Sequence, residues 1–337
     1  MREALLYQKN SDLSVHCGLC RHRCIIVPGA AGRCRVRKNI DGTLFSLVYG
    51  HVVAEHVDPI EKKPLFHFLP GSLTYSIATA GCNFRCLNCQ NYSIAQLDLM
   101  NVRQTPGELL EPEVIVKRAV ASGCKSISFT YTEPTVFFEY AIDIARLAFQ
   151  AGLKNVLVSN GYMSPEALEM IAPYVHAANI DLKGYSEEFY HRVTGAHLAE
   201  VLECLCDYQK RGIWIEITTL IIPGENDDHE QLKGIARFIA DSLGVDVPWH
   251  LSRFFPQHKM TDYSATSPAK LAEAVAIADK EGLRYTYEGN IQGGREDTNC
   301  PSCENTVVKR QGFRVISSGP LTGRCSFCQA EIAGVWV

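Results

Sequence analysis

Gly81-Cys82-Asn83-Phe84-Arg85-Cys86-Leu87-Asn88-Cys89-Gln90-Asn91 sets three cysteines in the order Cys-x-x-x-Cys-x-x-Cys. Directly before it runs Leu73 to Ala80, in which Tyr75, Ile77 and Thr79 alternate. That alternation predicts a strand. Three thiols this close cannot all pair as disulfides, because one is always left over. They suit a cubane iron–sulfur cluster, for which four cysteines are usual. With three ligands one iron stays open, and an open iron is a place for chemistry rather than structure. The plainer readings of the same residues are a zinc site short of one ligand and a chance group of core cysteines.

The rest of the composition narrows the class. Hydrophobic residues at 46% and charged residues at 21% are ordinary for a globular protein. A formal net charge of −4 gives no electrostatic reason to expect nucleic acid or an anionic membrane as partner. No apolar run of about 18 residues suggests a membrane span, and the first residues read as neither signal nor transit peptide. A cytoplasmic protein is expected. Fourteen cysteines in a reducing compartment argue against a disulfide framework. They fall mostly in three groups, at 17, 20, 24 and 34, at 82, 86 and 89, and at 300, 303, 325 and 328. Three metal sites are the expectation, with Cys124, Cys204 and Cys206 read as core.

At the N-terminal end, Cys17, Cys20, Cys24 and Cys34 are threaded with Pro28, Gly29 and Gly32. Close thiol pairs separated by glycine turns predict a small knuckle around one metal, either zinc or an auxiliary iron–sulfur cluster. The neighbouring Arg21, Arg23, Arg33, Arg35, Arg37 and Lys38 make this end basic. They form either a solvated face or a surface for an acidic partner. Residues 43–57 alternate like a hairpin turned near Gly50. At the other end, Cys300-Pro301-Ser302-Cys303 and Cys325-Ser326-Phe327-Cys328 are separated by 21 residues. Two such knuckles predict a zinc ribbon, with a rubredoxin-like iron or auxiliary cluster as the alternative.

Between the ends, helix-length and strand-length segments alternate from residue 112 onward. Helices are expected over 113–122, 135–151, 165–174, 198–211, 228–242 and 268–281. Strands are expected over 126–131, 155–158, 177–182, 213–222, 248–252 and 284–287. Repeated strand–helix units imply a parallel sheet. Counting from Leu73, about six units suit a partial (β/α)6 TIM-like barrel of α/β class better than a complete eight-unit one. The expected division is a Cys-rich module with hairpin at 1–70, the partial barrel at 71–288 and the ribbon-like module at 289–337. Parallel barrels place chemistry where strands end. The strand ends here hold the three cysteines, Glu133, Ser159-Asn160-Gly161, Asp181-Leu182-Lys183-Gly184, and His250 with Arg253.

These stretches resemble the radical S-adenosylmethionine (SAM) superfamily, in the branch that includes pyruvate formate-lyase activating enzymes. With the N-terminal cysteines, Glu61-Lys62-Lys63-Pro64, Thr132-Glu133-Pro134-Thr135 and Ser252-Arg253-Phe254-Phe255-Pro256, the chain is most similar to the radical SAM member of the AmmeMemoRadiSam system. The resemblance implies a [4Fe-4S] cluster on Cys82, Cys86 and Cys89, with SAM chelating the open iron. It implies a contact from Glu133 to the SAM amino group, which needs a carboxylate or carbonyl acceptor. Ser159 and Asn160 would serve the ribose hydroxyls and the SAM carboxylate. Asp181 and Lys183 alternate along one strand and so share a face. They would form either a structural pair or, through Lys183, a SAM carboxylate contact. His250 and Arg253 are candidates for substrate contact or proton transfer. One departure stands out: where many relatives have an aromatic residue before the third cysteine, this chain has Asn88, so Phe84 or Tyr92 would have to supply the apolar contact.

The implied chemistry is electron delivery from a flavodoxin- or ferredoxin-type donor, cleavage of SAM to a 5′-deoxyadenosyl radical, and hydrogen abstraction from a substrate. The substrate would be a protein or a molecule delivered by one. A Memo-like protein and its companion are partners implied by the resemblance alone. A glycyl-radical activase is the competing enzyme. A multi-zinc binding protein is the competing non-enzyme.

Overall fold

The strand expected before the cysteines forms as β1, Leu73–Thr79, and all of it except Leu73 is buried. It belongs to a computed structural model that describes residues 1–101, 104–319 and 322–336. The chain divides into two compact units.

The first unit comprises Met1–Asp58, Leu73–His176 and Val193–Ala196. Here β1, β2 (Ser126–Phe129) and β3 (Lys154–Ser159) pair in parallel, with Phe129 opposite Ile77 on one side and Leu157 on the other. Every residue of β2 is buried, as expected for a parallel strand covered on both faces. The crossovers are α1 (Pro112–Ala121) and α2 (Phe138–Gln150), and α3 (Pro165–Ile171) follows β3. Both α1 and α3 begin with proline at the first turn, and Ser164 caps α3 by accepting from Ala167 N at 3.2 Å.

The N-terminal segment packs into this unit rather than standing apart. Arg37 and Glu139 form a buried ion pair at 2.8 Å, and the same carboxylate accepts the Leu5 amide at 2.7 Å. The hairpin expected over 43–57 forms elsewhere. Arg37–Ile40 pairs with Thr43–Ser46 around Asp41-Gly42, both at positive φ. An Asp-Gly pair is a strong hairpin-turn signal, and it wins over the Gly50 punctuation. The strand His51–Pro59 instead meets Glu108–Leu109.

The second unit comprises Pro59–Ser72, Ala177–Arg192 and His197–Val337. Its strands β4 (Ala177–Asp181), β5 (Trp214–Ile221), β6 (Trp249–Arg253) and β7 (Thr286–Gly289) pair in parallel in that order. They are linked through α4 (Leu198–Lys210), α5 (His229–Phe238) and α6 (Pro268–Lys280). Asp228 and Ser267 cap α5 and α6, as their positions predict.

Between and beside the C-terminal cysteines run short antiparallel strands, Thr298–Asn299, Thr306–Gln311 and Arg314–Ser318. Cys300, Val307, Cys325 and Ile332 share one core with Phe66, Tyr285 and Tyr287. Arg310 donates to the Phe66 carbonyl at 2.7 Å and lies 3.6 Å from the buried Glu61. A buried arginine needs such partners. Those partners bind the tail to residues 59–72 across 244 positions of sequence. Among the described residues, no helix is long and apolar enough to cross a membrane.

Candidate active site

In the first unit the chain leaves β1 through Gly81, at φ +107°, where an added Cβ would stand 2.5 Å from Val36 Cγ1. Only glycine turns here without displacing the N-terminal segment. The loop that follows is pinned on several sides. Arg85 Nη1 donates to the carbonyls of Cys82 at 2.9 Å and Phe84 at 2.8 Å, and Nη2 donates to that of Arg33. The Arg85 and Leu87 amides donate to the Thr194 and Val193 carbonyls. Asn91 reaches the Tyr131 carbonyl at 2.7 Å.

Two donors point at one cysteine sulfur. The Phe84 amide lies 3.4 Å from Cys82 Sγ, and Asn160 Nδ2 lies 3.7 Å from it. Hydrogen bonds to ligand sulfurs are one of a protein's means of tuning an iron–sulfur cluster. Burial first, and then the Glu133 carboxylate, push the Cys82 thiol well up. Loading a cation there must therefore expel a proton.

Behind the cysteines, Glu133, Ser159 and Asn160 form one network. Glu133 is buried, and its Oε1 accepts from Thr135 N at 3.0 Å, Thr135 Oγ1 at 2.6 Å and Ser159 Oγ at 2.9 Å. Its Oε2 accepts the Asn160 amide at 2.8 Å. Burial raises the Glu133 pKa even against these donors. Asn160 Nδ2 in turn donates to Asn83 Oδ1 at 2.7 Å. The ends of β2 and β3 are thus tied to the cysteine loop.

The sequence profile described as the radical SAM superfamily matches residues 76–237, from β1 into α5. An uncharacterized protein of Methanocaldococcus jannaschii is 43% identical over 98% of this chain and 99% of its own length. The chain belongs to the radical SAM superfamily. The pyruvate formate-lyase-activating enzyme of Clostridium pasteurianum is 24% identical over 50% of this chain and 72% of its own. The isethionate sulfite-lyase activating enzyme of Oleidesulfovibrio alaskensis is 26% identical over 40% of this chain and 42% of its own. A radical SAM methyltransferase structure from Sphaerobacter thermophilus shares the fold, with a TM-score of 0.50 and 14% identity over 66% of this chain and 67% of its own.

Radical SAM proteins are enzymes, and membership implies a [4Fe-4S] cluster and SAM. A donor set of three thiols, one of them facing two N–H groups, fits such a cluster. Phe84 is buried, and its ring meets Tyr162 at 5.2 Å and His22 at 6.4 Å. Tyr92 is 43% exposed.

Asp181, Lys183, His250 and Arg253 of this radical SAM protein lie in the second unit. Lys183 Nζ donates to Asp181 Oδ2 at 2.7 Å; both side chains are partly exposed, so the pair contributes little stability. Arg253 Nε donates to the Thr266 carbonyl at 2.7 Å, and its guanidinium covers the Phe255 ring. His250 is buried beside Phe66 and Tyr287, with Nε2 2.7 Å from Glu216 Oε2.

Glu216 also accepts the amides of Phe66 and His67 and the Trp214 indole. Although burial alone would raise its pKa, His250 and these donors hold it below the ordinary carboxylate range. Burial lowers His67 to about 4, so its ring is neutral in the fold. Glu216 went unread in the sequence. Its one signal was a charge between Ile215 and Ile217 in a strand.

At the C-terminus, Cys300, Cys303, Cys325 and Cys328 bring their sulfurs within 4.8 Å of one another. Two pairs, Cys300–Cys328 and Cys303–Cys325, are both 3.6 Å apart. Tetrahedral zinc with Zn–S of about 2.3 Å sets its thiolates roughly 3.8 Å apart.

Proposed function

We propose that Cys82, Cys86 and Cys89 hold a [4Fe-4S] cluster that binds SAM, and that the protein abstracts hydrogen from a protein or protein-delivered substrate. The supporting observation is the shared network joining Glu133, Ser159 and Asn160 to Cys82. When bound, the pair supplies one-electron reductive cleavage of SAM to methionine and a 5′-deoxyadenosyl radical that takes a hydrogen atom from substrate. The chain's own residues position and shield. Arg85 fixes the cysteine loop, Asn160 and the Phe84 amide donate to the Cys82 sulfur, and Glu133 holds Asn160 in place. His250, whose Nε2 meets Glu216, acts as scaffold in this reading. Activation of a glycyl-radical enzyme is the second reading, favoured by the two activating enzymes among the relatives.

Anaerobically reconstituted, reduced protein tests the assignment. The expected result is an electron paramagnetic resonance signal that SAM perturbs, with 5′-deoxyadenosine formed. Both should be lost in Cys86→Ala. A cluster indifferent to SAM would overturn it.

The reductant is proposed to be an acidic flavodoxin- or ferredoxin-type protein. Arg33, Arg35 and Arg85 line an open cleft of about 540 Å³, in which Asp98 is the acidic lining residue. Three guanidiniums beside one carboxylate favour an anionic surface. Arg35→Glu should slow turnover about tenfold with such a donor, and salt should slow the wild type. Neither change should matter with dithionite. Equal sensitivity with both reductants would dismiss the docking role.

A further inference from the structure

The four N-terminal cysteines face one cavity. Cys17, Cys20, Cys24 and Cys34 line an enclosed space of about 20 Å³, walled by Leu19, Ile26 and Val136. Their arrangement differs from that of the C-terminal four. Among the described residues, only the C-terminal set gathers three or more ligand atoms all within 4.8 Å of one another. A mononuclear zinc site needs its thiolates at roughly 3.8 Å, given Zn–S of about 2.3 Å. The C-terminal sulfurs already stand near that spacing. The N-terminal sulfurs do not gather three or more within 4.8 Å of one another, and their residues line a void instead. A void of that size exceeds the roughly 10–15 Å³ that one water requires. Four thiols spaced apart around a common space suit a polynuclear centre, in which the thiolates bind different irons.

The surroundings also distinguish this site. Asn83 lines the same cavity and is the residue whose Oδ1 accepts from Asn160. Its carbonyl accepts from His22 Nε2 at 3.0 Å, and the His22 ring packs 4.7 Å from Tyr162. Cys20 is bridged to Met163 on the chain that leaves Asn160. The knuckle is therefore built into the wall of the cysteine loop, with Asn83 between the two thiol groups. A stapling ion could sit anywhere that a small module needs folding. This segment already has a buried Arg37–Glu139 pair and a packed core, which a mere staple would not require.

We propose that Cys17, Cys20, Cys24 and Cys34 hold a second iron–sulfur cluster rather than zinc, one residue removed from the first. The test compares iron, sulfide and zinc in three anaerobically reconstituted chains. Wild type should bind about six to eight iron per chain, against about four for a single cubane, with one zinc. The triple variant C82A/C86A/C89A should keep a cluster whose paramagnetic signal ignores SAM. Cys20→Ala with Cys24→Ala should keep only the SAM-responsive one. Wild type with about four iron and two zinc would overturn the proposal, and so would a triple variant with no iron and two zinc. The wild-type stoichiometry decides the matter even if a variant fails to fold. A SAM-indifferent cluster without any SAM-responsive one would instead sink the proposed function while leaving this centre standing.

Discussion

Glu133→Ala is expected to destabilise the protein by roughly 3–5 kcal/mol, since it leaves buried donors without an acceptor. Four hydrogen bonds from Thr135, Ser159 and Asn160 end on this carboxylate. No water-filled space is needed to explain its burial, because its partners are all protein. The loss should reach the cysteines as well. Without Glu133 the Asn160 amide has no anchor, and Asn160 is what donates to Cys82 Sγ and Asn83 Oδ1. SAM affinity should therefore fall by at least tenfold. Glu133→Gln separates the two effects. Its oxygen can still accept from Thr135 and Ser159, but its NH₂ faces the Asn160 amide as donor against donor. Stability should be partly restored and SAM binding should remain weak. The checks are a urea titration of each variant and calorimetric SAM binding to the reconstituted proteins. If Glu133→Ala unfolds at the wild-type urea concentration, the network is not a hub. If it binds SAM normally, the network is not part of the cofactor site.

How much of this was legible in sequence depends on how far apart the interacting residues lie. The cysteine loop was readable because its donors and ligands are neighbours, and its strand carries a plain period of two. The helix ends were readable for the same reason: Ser164, Asp228 and Ser267 satisfy amides three residues on. Glu133, Ser159 and Asn160 stand out in the sequence only singly, as polar residues at strand ends. That they form one network came only from the fold, because β2 and β3 must pair before the Ser159 hydroxyl can reach the Glu133 carboxylate. Glu216 lay beyond reach altogether. Its partners Phe66 and His67 are 150 and 149 positions away, and a charge in a strand does not announce which backbone it will serve. Its presence turns His250 from a candidate at a strand end into a buried ring with a fixed acceptor. The packing of the tail is hidden in the sequence for a related reason. Two Cys-x-x-Cys pairs describe a self-contained ribbon, whereas Cys300 and Cys325 pack in one core with Phe66 and Tyr287.

That shared core would make a metal held by the four C-terminal thiols a determinant of the whole second unit. Stripping it, or replacing Cys325 with serine, is expected to lower stability by several kcal/mol, because binding to a structural site of this kind is itself folding free energy. Cys325 and Cys300 are buried beside Tyr285, Tyr287 and Ile332. Thiolates left at 3.6 Å without a cation would repel one another and must take up protons instead. The damage should spread along named contacts. Val335 and Ala333 hold residues 67–69 through backbone hydrogen bonds and the His67 ring, and His67 reaches Tyr287 at 2.6 Å. Tryptophan fluorescence reads this directly. Trp214, Trp249 and Trp336 all belong to the second unit. Trp214 donates to Glu216, and Trp336 lies 5.6 Å from the His67 ring. Chelation should shift tryptophan emission to the red and lower the melting midpoint, and adding zinc back should reverse both. A ribbon acting only as an appendage predicts the opposite: far-ultraviolet dichroism changed slightly at the tail, with tryptophan emission and the main transition unmoved. If that is observed, the core contacts of Cys300 and Cys325 do not couple the tail to the parallel strands.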